Sequence, residues 1–171
     1  FYGSTLNTRQ YATKGYLEKL IAQVFTGRER FEPGNPQEGY SPSPQERQSW
    51  LQISYMKEAY HTMGPKFTLG WMAEALYSSK NFSENYTATM MQAGEFAPTP
   101  HSKLMYNEAF RANQYVAAGI KPIYVLNDMF QFRTEFYGFT PIFPIKKNAL
   151  NKAYYGKAFS RFEYMGEVSV I

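Results

Sequence analysis

His61 and His101 are the only histidines of the chain, and they stand forty residues apart. Zinc and iron sites use pairs three to five residues apart, so both are read as turn or surface side chains, not as ligands. Cysteine is absent, which excludes thiolate metal sites, thiol nucleophiles and disulfides. A serine nucleophile of the hydrolase type needs a Gly-x-Ser-x-Gly turn, and no such pentapeptide occurs. Asp128 is the only aspartate and sits beside Asn127 in an expected turn. No catalytic site, metal or cofactor is therefore expected. What remains is charge pairing. Arg133 and Glu135 are two residues apart, and Phe130, Phe132 and Phe136 hold the alternate positions. On a strand, both charges then share the face opposite the phenylalanines, where either the polar lumen of a barrel or the water outside a soluble sheet would receive them.

The same period of two recurs along the chain. Phe67, Leu69, Trp71, Ala73, Ala75 and Tyr77 alternate with Thr68, Gly70 and Glu74, which predicts a strand with one apolar face. At about ten residues it could cross the apolar band of an outer membrane. Leu51, Ile53 and Tyr55 form its hairpin partner through a turn at 61–66. Tyr115, Ala117, Gly119 and Ile123 mark a further strand, the segment from Met129 to Phe139 its partner, and Phe162, Tyr164, Val168 and Val170 another. Residues 11–15 read as a turn, with Gly15 able to take positive φ, and Thr26-Gly27 closes the segment after it. Between them, Leu17, Leu20, Ile21, Val24 and Phe25 fit a helix as well as a strand; the flanking turns favour the strand. Leu104, Met105, Ala109 and Ala112 suggest a short helix inside a long loop.

Length and composition leave two solvents open. The 171 residues suffice for one domain with a core, and no apolar run is long enough for a membrane-spanning helix. An 18% aromatic content suits either a β-rich core or the aromatic girdles of a membrane barrel. The net charge of +4 is scattered, so no nucleic-acid surface is expected. Loop length separates the two readings. Short turns near 11, 63 and 127 alternate with long loops at 28–47, 79–112 and 141–158, the asymmetry of membrane barrels. About seven strands are visible, whereas single-chain bacterial barrels close with an even number. The expected architecture is all-β, an antiparallel up-and-down transmembrane barrel of which residues 1–171 form an incomplete section of a longer polypeptide. Phe67, Leu69, Trp71, Phe130, Phe132 and Phe136 are its expected lipid-facing residues, and the bilayer its expected partner. The alternative is a soluble antiparallel sandwich or barrel that binds a ligand or partner through its aromatic face.

The segment Leu6-Asn-Thr-Arg-Gln-Tyr-Ala-Thr-Lys-Gly15 resembles the strand, turn and glycine pattern of the bacterial surface-antigen barrels. Tyr77-Ser-Ser-Lys-Asn-Phe82, Pro98-Thr-Pro-His-Ser-Lys-Leu104, Asn107-Glu-Ala-Phe-Arg-Ala-Asn113 and Phe136-Tyr-Gly-Phe139 resemble the C-terminal region of patatin-like phospholipases that carry such a barrel. The resemblance implies a bacterial outer-membrane location and a role in anchoring, or helping to export, an attached patatin-like domain. It also implies that a long outer loop places an arginine inside the barrel, and Arg111 is the matching position, with Glu135, Glu163 or Glu167 as candidate partners. Ala112 stands where the family has glycine. The patatin nucleophile elbow and glycine-rich loop are absent, so no lipase activity is transferred to this chain.

Overall fold

The computed structural model describes residues 1–8, 10–29, 46–127 and 130–171. Most of them build one antiparallel sheet. Its strands are β1 (Tyr2–Ser4), β2 (Gly15–Glu29), β3 (Glu46–Thr62), β4 (Phe67–Ser78), β7 (Gln114–Val125), β8 (Gln131–Pro141) and β11 (Glu163–Val170), and they lie in that order across it. Every strand pairs with the next one of this set in the chain, so the topology is up-and-down. The sheet is not closed. The strand reading of 17–25 holds, and β2 runs past Thr26-Gly27 to Glu29, paired with β3 throughout.

The turns and connections alternate as the loop lengths require. Residues 63–66 and 126–130 link strands at one end, together with residues 5–14, while 79–113 and 142–162 connect them at the other. The expected loop at 28–47 is shorter than its turn residues suggest, because Arg28, Glu29, Glu46 and Arg47 belong to the β2–β3 pair. Pro33 to Pro44 lie outside the described residues, as do Arg9 of the resembling segment, Asp128 and Met129. Gly15 takes φ 94°, and a Cβ there would sit 2.2 Å from the Thr5 carbonyl oxygen, so the residues 5–14 can fold back only over glycine.

The connection 79–113 contains the one α-helix of the described residues, α1 (Tyr86–Gln92), and a two-stranded ladder of β5 (Gly94–Glu95) with β6 (Arg111–Ala112). The helix expected over 104–112 is not formed. Ser102–Leu104 and Glu108–Phe110 are single 3-10 turns, and Ala112 is in β6. Asn85 caps α1: its side chain accepts from Ala88 N at 2.7 Å. The connection 142–162 holds a second small ladder, β9 (Ile145–Lys147) with β10 (Ala153–Tyr155).

Candidate functional site

Because neighbours on a strand point to opposite sides, register assigns each side chain of the main sheet to one of two faces. The outer face carries Leu20, Ala22 and Val24 of β2, then Leu51, Ile53 and Tyr55 of β3. Phe67, Leu69, Trp71, Ala73, Ala75 and Tyr77 of β4 follow, then Val116, Ala118, Ile120 and Tyr124 of β7. Phe132 and Phe136 of β8 with Tyr164, Val168 and Val170 of β11 complete it. Nearly all the large side chains in this set are exposed. One ion pair interrupts the apolar surface: Glu18 and Lys57 face each other in register at 3.7 Å, and Tyr55 Oη donates to Glu18 at 2.6 Å.

The inner face is where the charges are buried. Lys121 Nζ donates to Glu58 Oε1 at 2.6 Å, and Tyr60 Oη donates to the same oxygen. Tyr60 Oη in turn accepts from Arg133 Nη2 at 2.8 Å; Arg133 Nη1 donates to the Ala12 carbonyl at 3.0 Å, and its Nε to Glu135. Tyr137 Oη donates to the other Glu135 oxygen at 2.6 Å. Two cations, two carboxylates and two phenols thus form one chain of bonds linking β3, β7 and β8. With its charges balanced and its donors occupied, burial is tolerable. β3 and β8 are three strands apart, and the Arg133 to Tyr60 contact across that distance shows how far the inner faces are drawn together.

Two apolar plugs flank this network. Toward the long connections, Phe96 and Phe110 pack on Tyr115, Tyr137, Phe139, Met72 and Leu76. Toward the short turns, Ala12 packs on Tyr60 and Ile123. Glycine makes room for two of the tyrosines. Tyr60 lies over its register partner Gly70 and Tyr137 over Gly119, where a Cβ would approach the ring to 2.6 and 2.2 Å. Between the plugs is a cavity of about 560 Å³ lined by Lys19, Glu58, Glu74, Lys121, Arg133 and Glu135 from the sheet. Tyr11 and Lys103 close it from the two covering segments. Tyr115 Oη donates to Glu74 at 2.5 Å and lies 3.1 Å from the Glu95 carbonyl, tying the covering loop to the sheet. His101 Nδ1, 2.8 Å from Glu167 Oε1, ties the same loop to β11.

Arg111 does not meet Glu135, Glu163 or Glu167. It lies in β6 directly opposite Glu95 of β5, and its Nη2 pairs with Glu95 at 2.7 Å. Its Nη1 donates to the carbonyls of Met91 (3.1 Å) and Ala93 (3.2 Å), which a helix leaves unpaired at its C-terminus. The register of the small ladder decides this: it holds Arg111 at the end of α1. The three carboxylates are taken by nearer partners, Arg133, Arg161 and His101 respectively.

Outside the sheet, burial lowers the Lys80 pKa, and its Nζ stacks 4.6 Å from the Trp50 ring. Burial and a hydrogen bond to Glu108 push the Tyr86 phenol up to about 12. Among the described residues no group of three or more potential ligands could hold a metal ion. Of the residues expected to face lipid, Phe67, Leu69, Trp71, Phe132 and Phe136 lie on the outer face, and Phe130 is half exposed just before β8. Arg133 and Glu135 lie together inside. The sequence reading missed Glu58, Lys121 and Tyr60, whose partners are two and three strands away. The alternation of Met56, Glu58 and Tyr60 against Tyr55, Lys57 and Ala59 offers no cue, since both rows carry a charge. No family model, curated protein or solved structure matches the chain.

Proposed function

We propose that this chain is a section of the wall of a bacterial outer-membrane β-barrel, which anchors the polypeptide it belongs to in the lipid bilayer. One observation carries the reading: apart from the Glu18–Lys57 pair and the far ends of β2 and β3, the outer face is apolar across six strands, while the charged residues of the central strands β4, β7 and β8 are turned inward and hydrogen-bonded there. A water-soluble sheet of these residues would do the reverse, because an exposed apolar surface of this extent is an association or lipid surface. Long connections at one end and short turns at the other add to it. The sequence resemblance supplies the cargo of the proposal, a patatin-like acyl hydrolase domain, with no hydrolysis assigned to the present residues.

The test is insertion. Leu69→Arg and Phe132→Arg place a cation on the outer face and are expected to block folding into phosphatidylcholine vesicles, read by protease protection and by circular dichroism. Insertion at the wild-type yield in both variants, or a monodisperse wild-type monomer without detergent, would sink the membrane reading in favour of a soluble sheet.

A further inference from the structure

In the middle of the outer face stands one charged pair. Glu18 of β2 and Lys57 of β3 are opposed in register, and the next residues of the same row are Gly3 of β1 and Ala73 of β4. Ala73 lies midway along the outward positions of β4, with Leu69 and Trp71 to one side and Ala75 and Tyr77 to the other. The pair thus sits at mid-height, between residues too short to cover it. Tyr55 Oη occupies one Glu18 oxygen, and Lys57 Nζ reaches the other only at 3.7 Å, well beyond the roughly 2.8 Å of a charge-assisted hydrogen bond. The Lys57 and Glu18 side chains remain 37% and 27% exposed.

Against lipid, mid-height is where an outward-facing cation is least tolerated. A second copy of the chain gives better cover, and the arrangement of the charges fixes its orientation. A two-fold axis along the barrel axis leaves both copies inserted in the same sense. Glu18 and Lys57 stand side by side on neighbouring strands, so rotation about such an axis between them brings Glu18 of each copy opposite Lys57 of the other. Each ion then has two counter-charges, and the four alternate in sign around a square. Two like charges, or opposite charges stacked along the axis, would instead meet like with like. Around the square, Tyr16, Leu20, Tyr55 and Ala59 supply an apolar surround on the same face.

We propose that the outer faces of β2 and β3 form an interface with a second copy of this chain, centred on Glu18 and Lys57. The proposal rests on the membrane-wall reading above. For the test, the whole chain carries Met63→Cys, an exposed position in the turn 63–66 and then the sole thiol, which takes one dye. It is folded at high dilution into phosphatidylcholine vesicles, and subunits are counted by photobleaching. Most particles should bleach in two steps. Glu18→Lys and Lys57→Glu should each cut that fraction about tenfold, because like charges then face each other across the axis. Mixed in two colours, the same two variants should form mixed dimers at the unsubstituted level, although the pair within each chain stays broken. Single variants that dimerise undiminished, or a mixture that stays monomeric, overturn the interface. If a single variant fails to insert, Glu18→Lys/Lys57→Glu decides: it keeps the internal pair, should dimerise with itself, and should exclude the unswapped chain about tenfold. Free mixing of the two overturns the interface. An unswapped chain that inserts as monomers overturns the interface alone, whereas one left unprotected from protease in the vesicles overturns the membrane reading as well.

Discussion

Along β8, Phe132 and Phe136 are 43% and 51% exposed, while Arg133 and Glu135 beside them are 2% and 6% exposed. The two faces of one strand thus obey opposite rules. Inside, each ionised group must find its counter-charge and its hydrogen bonds on its own strand or on others, and the chain through Lys121, Glu58, Tyr60, Arg133, Glu135 and Tyr137 does so residue by residue. Outside, no specific partner is required. The side chains need only be apolar, and their packing is left to whatever covers them. The inner face is therefore specified by geometry, and the outer face by composition.

That contrast can be broken most strongly from within. Glu135→Ala strips Arg133 and Tyr137 of their common acceptor, and breaking a buried pair in this way costs about 3–5 kcal/mol. Urea unfolding of the reconstituted chain should show the loss, and a cost below that of an outer-face alanine variant would contradict the assignment of the network as a buried unit. Next in size is Gly119→Val. It drives branched carbons into the Tyr137 ring, and we expect about 1–3 kcal/mol of destabilisation. A second substitution, Tyr137→Ala, should relieve part of it, as a double-mutant cycle would reveal. On the outer face, the membrane proposal expects Phe136→Leu to change stability in vesicles by less than about 1 kcal/mol, since lipid would refill the space without a fixed shape to match. A larger loss there would mean that Phe136 packs against protein.

The smallest expected effect lies outside both faces. Tyr86 has its folded pKa raised to about 12 from an ordinary value of 10.0. The stability it contributes is complete below the unfolded pKa and is lost as pH rises from there through the folded one. Hydrogen exchange of α1 should therefore accelerate between these two values in the wild type more than in Tyr86→Phe, and equal acceleration would remove the role of the Tyr86 to Glu108 bond.

How far all this could be read from the sequence depended on range. Period-two alternation located the strands and put Arg133 and Glu135 opposite the phenylalanines, because that relation is local to one strand. The β7 positions Tyr115, Ala117 and Ile123 were legible as strand but not as inner face: Val116, Ala118 and Ile120 between them are apolar too, and only Lys121 marks the inner row. Helix α1 escaped notice because seven residues give too little periodicity, although Asn85 before them is a good N-cap. Arg111 was placed by analogy with a loop tip, and the two-residue ladder that turns it toward α1 has no pattern at all. The opposition of Glu18 and Lys57 depends on register carried across residues 30–45, which no local signal in either strand conveys.

The up-and-down strand order has a kinetic consequence. Each strand of the main sheet needs only its predecessor, so chain growth can add strands one at a time without waiting for a distant segment. Even the longest connection, 79–113, raises the entropy of closure over the four-residue turn at 63–66 by only about 2 kcal/mol. Every intermediate of such a pathway would present an open edge at its growing side, besides the one at β1, and β11 presents the same kind of edge in the full sheet. Sequential addition thus leaves the sheet at each stage equally ready to accept one more strand, and the order of synthesis can serve as the order of assembly.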